Sequence, residues 1–320
     1  MPLTARTPDV VVVGSVHMDL LARGPRLPRP GESLVGSSFA MHPGGKAGNQ
    51  AVAAARQGAH TVIVARLGDD QFGRELQGRL EAAGVDVSFL QTDEAVATGA
   101  SPILSEDGGD YASIIVPGAS LELTPERLSA ADGPLRSCRV LLLQLEISPD
   151  TSLAAAEISS REQGVGIVLL NAAPAPTRLD DSFHALLARA DVLMVNRVEA
   201  EAWSGIAVHE SADAGRAGAA MRQRYGIDAV VVTLGGSGVV LVDADRASSI
   251  PGYPARVVDT VGAGDALAGA VAAALARGES LRHAVELGNA AGALAVQRQG
   301  GYEAAPTLAE TVSLLNKKTR

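Results

Sequence analysis

The sequence predicts an α/β protein built on a mainly parallel sheet with helices on both faces, and three observations carry that prediction. Short, continuous, β-branched apolar runs alternate with alanine-rich helical stretches over most of the chain. Glycines fall just past the helical stretches, where C-terminal caps belong. Two segments break the alternation and read as short extended pieces instead.

In order along the chain, strands are expected at 10–13, 61–65, 140–145, 166–170, 192–195 and 229–233. Helices are expected at 47–57, 73–83, 151–162 and 212–225, ending at Gly58, Gly84, Gly164 and Gly226. A last stretch, 270–276, is almost pure helix former. The first irregular segment, 19–39, carries Pro25, Pro28 and Pro30 and has no helical period. The second, 98–116, reads as a hairpin of 101–105 against 111–116, turned through Asp107-Gly108-Gly109. Together, at about 15–42 and 98–118, they are expected to form a small β-sheet lid over the strand ends. With no repeat or clear linker, 1–320 is expected to be a single domain carrying that lid.

Composition narrows the partners. The chain has 320 residues, 47% hydrophobic and 20% charged, so a sizeable core is available. Aromatics are only 3%, which leaves the core to Ala, Val, Leu and Ile. A net charge of -9 argues against a nucleic-acid binder. Cys138 is the sole cysteine, so no intrachain disulfide can form, and its place before an apolar strand marks it as packing. Residues 1–8 lack the apolar core of a signal peptide, and the longest apolar run, 266–276, is too short to span a bilayer. The expected setting is the cytoplasm, with no membrane partner.

The stretch Asp259-Thr260-Val261-Gly262-Ala263-Gly264-Asp265-Ala266-Leu267-Ala268-Gly269 carries the most chemistry. Gly262 and Gly264 let the backbone curl at a helix start, so that several amides and the positive helix end converge beside the Asp265 carboxylate. That arrangement suits phosphoryl transfer: amides hold charge on the phosphoryl oxygens while the carboxylate takes a proton from an attacking hydroxyl. Taken alone, the run also fits a tight turn with close helix packing. It is not a dinucleotide fingerprint, because Leu267 occupies the third glycine position.

A second unusual segment is Pro43-Gly44-Gly45-Lys46-Ala47-Gly48-Asn49-Gln50-Ala51. Ala40 and Ala47 rule out a Walker A loop. Paired glycines followed by Lys and Asn at a helix start instead present backbone and amide groups to a polyhydroxyl ligand. Glu146 directly follows an apolar strand, where a buried carboxylate needs a partner, and a bound hydroxyl would serve.

These two segments, in this order, with Val10-Val11-Val12-Val13-Gly14-Ser15 and Arg66-Leu67-Gly68-Asp69-Asp70-Gln71-Phe72-Gly73, make the chain resemble the ribokinase family of carbohydrate kinases, also called the phosphofructokinase-B (PfkB) family. The resemblance runs from Val10 to about Pro306 and implies a ribokinase-like three-layer α/β/α fold. It implies Asp265 as general base, with Gly262, Ala263 and Gly264 forming an anion hole for the γ-phosphoryl group. Asp19, Gly45, Lys46, Asn49 and Glu146 match sugar contacts, and His17 joins that set. Asn196 and Glu199 match an N-x-x-E element that organises Mg²⁺ through water. Thr233, Gly235, Gly236 and Gly238 resemble the ATP loop, with Asn196 beside it and Asn289 where adenine and ribose lie. Asp259, Val261, Ala295, Arg298 and Gly300 match a monovalent-cation (K⁺) site.

Three departures bear on substrate. Members usually carry Asn where this chain has His17, Gly-Ala where it has Ala47-Gly48, and a cation-contacting Ser where it has Ala304. The reading implied is an ATP- and Mg²⁺-dependent kinase acting on the primary hydroxyl of a small sugar, D-ribose first. The alternative is a nucleoside kinase of the adenosine, cytidine or pseudouridine type. The lid is expected to exclude water and to serve as a homodimer interface. A non-catalytic sugar sensor on the same fold is disfavoured by the intact Gly-Ala-Gly-Asp run.

Overall fold

The computed structural model describes residues 7–106, 111–160, 166–175, 180–244 and 246–318. The expected hairpin turn at 107–109, the cap at Gly164 and the end of the 151–162 helix lie outside the described residues. In chain order the strands are β1 (Val10–Val13), β2 (His17–Gly24), β3 (Ser38–Gly44), β4 (Thr61–Gly68), β5 (Asp86–Asp93), β6 (Thr98–Glu106), β7 (Tyr111–Ser113), β8 (Val116–Gly118), β9 (Val140–Leu143), β10 (Ile167–Asn171), β11 (Val192–Asn196), β12 (Ala229–Thr233), β13 (Gly238–Val242) and β14 (Ala247–Pro251). The α-helices are α1 (Lys46–Arg56), α2 (Gln71–Ala82), α3 (Asp132–Ser137), α4 (Pro149–Ser160), α5 (Asp181–Leu187), α6 (Arg197–Ser204), α7 (Ser211–Tyr225), α8 (Ala263–Ala276), α9 (Leu281–Ala295) and α10 (Leu308–Lys318).

The large sheet runs β14-β13-β12-β11-β10-β9-β1-β4-β5. It is parallel from β12 to β5, whereas β13 and β14 join antiparallel. Alternate residues of its central strands feed two separate cores, one on each face. Val10, Val12 and Ile63 pack with α1 and α8, while Val11, Val13 and Val64 pack with α4, α5 and α7. Both faces are therefore covered, which is why the central strands are uninterrupted apolar runs. Each strand expected from the sequence lies within or overlaps an observed one. The strand expected at 140–145 stops at Leu143, because Gln144 and Glu146 turn into the polar centre described below. β5, β13, β14, α5, α9 and α10 were not anticipated. β5, for instance, is a polar edge strand whose burial alternates irregularly.

The two irregular segments meet in a separate small sheet, ordered β3-β2-β6-β7 with β8 paired to β6. Asp70 ties this sheet to the large one. It caps α2 by accepting from the Gly73 amide at 2.8 Å, and it also accepts from the Thr98 amide at 2.7 Å and hydroxyl at 2.8 Å, where β6 begins. Among the described residues, no helix is long and apolar enough to cross a membrane.

α1 and α8 lie against one another at very short range. A Cβ on Gly269 would stand 2.6 Å from the Gln50 carbonyl oxygen and 2.8 Å from the Ala54 amide nitrogen, both backbone atoms that cannot swing away. Gly269→Ala is expected to cost about 1–3 kcal/mol by overpacking and to lower turnover, since α1 must move off α8. Denaturant unfolding midpoints alongside kcat check both.

Candidate active site

α8 begins at Gly262, whose φ of 73° is left-handed and whose missing Cβ would stand 2.9 Å from Gly301 Cα. Only glycine suits both conditions. The turn sets Ala263, Gly264 and Asp265 in the first helical turn, where backbone N–H groups have no intrahelical acceptor. Asp265 is buried, 7% exposed. Asn49 Nδ2 donates to its Oδ2 and Gln50 Nε2 to its Oδ1, each at 2.9 Å. Burial pushes the carboxyl above its ordinary range; the Lys46 charge and the Asn49 and Gln50 amides pull the other way, and Glu146 adds to the rise. The net direction is upward, which suits a group that must receive a proton.

Behind Asp265 runs a buried amide network. Gln50 Nε2 also donates to Asn171 Oδ1 at 3.1 Å, and Gln50 Oε1 accepts from Gln144 Nε2 at 2.7 Å. Gln144 and Asn171 stand at the carboxyl ends of β9 and β10, where open parallel sheets gather ligand groups. Sequence reasoning did not assign roles to Gln50, Gln144 or Asn171. The available signal was a polar side chain at the end of each buried apolar strand, and Gln50 lay inside the 43–51 segment.

In front of Asp265 the expected sugar-contact residues come together. Gly45 precedes α1 at a φ of 85°, with Ser15 and Val16 backbone atoms 2.6 Å from where its Cβ would be. Glu146 accepts from the Lys46 amide at 2.9 Å and from the Ser15 hydroxyl. The partner that its burial called for is thus supplied within the chain, and no bound hydroxyl is needed to explain its position. Burial works against the Lys46 charge, but Asp265, Glu146, Glu199 and Asp19 outweigh it and raise its pKa. One ammonium thereby serves four carboxylates. His17 Nε2 lies 3.2 Å from Asp19 Oδ1. On the small sheet, His42 and Ser101 stand opposite Asp19 in register.

A cavity of about 500 Å³ adjoins the α8 start. Thr233, Gly235, Gly236, Gly238 and Asn289 line it, as do Ala263 and Gly264. Its walls include Tyr253, Pro254, Val257, Leu267 and Val296, apolar enough for a flat base. Asn289 donates to the Pro251 carbonyl at 3.0 Å, so it also fastens the end of β14. Asn196 is opposite Thr233 in the sheet. With Glu199 it forms a capping box at the start of α6: Asn196 Oδ1 accepts from the Glu199 amide at 2.9 Å and Glu199 Oε2 from the Asn196 amide at 2.7 Å. Burial raises the Glu199 pKa, opposed by the Asn196 amide and Lys46.

The expected cation-site residues come from two segments, 259–261 and 295–300, which Asp259 joins. Its Oδ1 accepts from the Val261 amide and its Oδ2 from the Gly300 amide, both at 3.0 Å. The Ala295 carbonyl accepts from the Arg298 amide at 3.0 Å, and the Arg298 guanidinium pairs with Glu310. Ala304 is fully buried in a small cluster with Ala266 and Ala295.

Residues 7–308 match the pfkB family carbohydrate kinase. The chain belongs to that family. This kinase is 38% identical to the ribokinase of Mus musculus over 301 residues, 93% of this chain and 91% of that protein. It is 32% identical to the deoxyribokinase of Salmonella typhimurium over 264 residues, 82% of this chain and 84% of that protein. Among solved structures, the Arabidopsis thaliana ribokinase complexed with ribose and ATP superposes with a TM-score of 0.89 at 28% identity, covering 97% of this chain and 99% of the other. The protein is therefore an ATP-binding phosphotransferase with an alcohol group as acceptor, on a ribokinase-like fold.

Burial lowers the pKa of His17, but the hydrogen bond to Asp19 and the charges of Glu146 and Asp19 outweigh it, and the net shift is upward from 6.5. A raised histidine stabilises the fold below its unfolded pKa and loses that contribution as pH rises through the folded one. The His17 ring resonances are expected to titrate above 6.5 by NMR. In His17→Gln, stability should fall less steeply than in the parent as pH rises from 6.5 to that midpoint.

Proposed function

We propose that this kinase transfers the γ-phosphoryl group of ATP to the primary hydroxyl of a small sugar, D-ribose first, with Asp265 as general base. The observation that carries this reading is the position of Asp265. Its carboxylate stands where the α8 amides bordering the 500 Å³ cavity meet the polar group of His17, Asp19, Lys46, Asn49 and Glu146. ATP in the cavity would set its terminal phosphate at the Gly262, Ala263 and Gly264 amides, and a sugar held by the polar group would present its alcohol to Asp265. The alcohol proton passes to Asp265, its oxygen bonds to the γ-phosphorus, and the bond to the β,γ-bridging oxygen breaks to release ADP. The amides hold the equatorial phosphoryl oxygens, while Lys46 offsets the charge gathered around the acceptor.

Asn196 and Glu199 fit a Mg²⁺ role through water. One buried carboxylate, half engaged by its own capping box, is the sparse protein donor set that Mg²⁺ takes alongside phosphate oxygens. When bound, Mg²⁺ would neutralise phosphate charge. The Asp259 loop fits a monovalent cation less well. Asp259 already holds the loop through two amides, and Ala304 offers a methyl group there, so no step is derived through such an ion. Residues 1–320 are read as one domain, with about 15–42 and 98–118 as a lid that excludes water. Phe39, Met41 and Leu104 are exposed on the small sheet, with Ile114, Ile115 and Val116 beside them, and support homodimerisation there. The cytoplasm is the compartment proposed, from the lone cysteine and acidic balance.

Asp265→Ala is expected to lose about 10²–10⁴-fold in kcat, with ATP affinity little changed, in a coupled ADP-release assay. Near-normal turnover would overturn the base assignment. The same assay with D-ribose, 2-deoxy-D-ribose, adenosine, cytidine and pseudouridine, each with and without K⁺, should give the highest kcat/KM for ribose. A higher value for a nucleoside would favour the alternative. Phe39→Glu is expected to shift the protein from dimer to monomer in sedimentation velocity; an unchanged sedimentation coefficient would remove the lid interface.

A further inference from the structure

The network behind Asp265 has a direction. Gln50 is wholly buried. Its carbonyl oxygen is taken by Gln144 Nε2 at 2.7 Å, so its NH₂ edge must face Asp265 Oδ1 and Asn171 Oδ1. Turning the amide over would set its oxygen against the Asp265 carboxylate and its N–H groups against those of Gln144, two repulsive pairs in place of attractive ones. Gln144 is itself lodged in a recess that only a glycine leaves open, since a Cβ on Gly14 would stand 2.1 Å from its Oε1. The end of β1, the end of β9, the end of β10 and α1 thus combine to fix one amide against the start of α8.

We propose that Gln50 is a positioning residue for the base: anchored by Gln144 and Asn171, its amide holds Asp265 Oδ1 from behind, so that Oδ2 is presented, ionised, to the sugar alcohol. Oδ2 is the oxygen that accepts from Asn49, on the side of the sugar-contact residues. With one N–H on each oxygen the carboxylate plane cannot rotate, and the oxygen facing the alcohol keeps a lone pair for the incoming proton. Both amides favour the charged form of Asp265, against the burial that disfavours it. The charged and titratable groups around Asp265 are Lys46 from α1 and Glu146 beyond β9, then His17 and Asp19 from β2, Glu199 from α6 and Tyr302 after α9. None of these donates a hydrogen bond to Asp265. Gln50 and Asn49 alone do so among the described residues, and of the two only Gln50 is held by further amides.

The inference rests on Asp265 being the base, and its test separates the two. Gln50→Met keeps the volume and removes the donor; Gln144→Met leaves Gln50 in place but frees it to turn. Both are compared with Asp265→Asn by kcat/KM against pH, using ATP and the best acceptor of the panel above. In Gln50→Met the acid limb is expected to move up by about one pH unit or more, because a hydrogen bond to a charged group is lost. Plateau kcat should fall about tenfold through misorientation, with KM for ATP within about twofold of the parent. Gln144→Met should move the limb in the same direction by less, and it carries the test if Gln50→Met does not fold. An inactive Asp265→Asn beside an unmoved limb and plateau in the folded glutamine variants overturns the role of Gln50. An active Asp265→Asn overturns the base reading, and the role of Gln50 falls with it.

Discussion

The structure turns on keeping one buried carboxylate chargeable at the start of a helix. Desolvation drives Asp265 toward its neutral form, and only close donors and a cation can offset that. The donors, Asn49 and Gln50, stand on α1, so α1 and α8 must pass within contact distance of their backbones. Gly269 makes the approach sterically allowed, and Gly262 gives α8 the left-handed turn that starts it in the right place. Lys46 heads the same helix α1 and brings the cation. One helix pair thus supplies the proposed base, its two amide donors and its counter-charge, and the parallel sheet supplies the platform that holds the pair.

From that pair the two halves of the site follow. The amide end of α8 opens onto the cavity lined by the β12–β13 loop and α9, while its carboxylate faces the residues of β2 and α1. Residues 262–265 border both halves, and Lys46 couples them electrostatically through Asp265 and Glu199. The small sheet joins the rest of the molecule through buried Met18 of β2, which packs into the core beside α1 and β4, and through Asp70. Asp70, capping α2 with one carboxylate, accepts both the amide and the hydroxyl of Thr98.

Much of this was legible in the sequence, for definable reasons. The central strands announced themselves because strands buried on both faces are unbroken apolar runs. α1, α2, α7 and α8 announced themselves through capping residues and alanine content. The edge strands β5 and β14 did not, because half-exposed strands mix polar and apolar residues without a clean period, whereas β13 is a buried apolar run, Gly238–Val242, that directly follows the glycine-rich loop and was read with it. At the site, Asp265, Lys46 and Asn49 were visible because glycines flank them. Gln50, Gln144 and Asn171 were not, because a buried amide network is defined by side chains that meet only after folding. Glu146 was singled out for the right physical reason, an expensive carboxylate at a strand end, yet its partners are Ser15 and the Lys46 amide, contacts that sequence spacing does not reveal.

The exchange of Gly-Ala for Ala47-Gly48 has a physical explanation in the packing of α1. A Cβ on Gly48 would stand 2.0 Å from the Tyr302 hydroxyl, and one on Gly301 would stand 2.1 Å from Asn49 Oδ1. Tyr302 therefore occupies space that an alanine at 48 would fill, and Gly301 lets its segment lie flat against Asn49. Ala47, fully buried in the core on the same side of the sheet, takes up the methyl group that 48 gives up. The phenol stays neutral, since burial above all, then the charges of Glu303, Asp19 and Asp265, push its pKa up. Its hydroxyl has no hydrogen-bond partner among the described residues and is sealed from solvent, so it contributes volume. The exchange is thus volume-neutral repacking behind Asn49. That leaves His17, 3.2 Å from Asp19 within the proposed sugar site, as the departure that bears on the proposed acceptor.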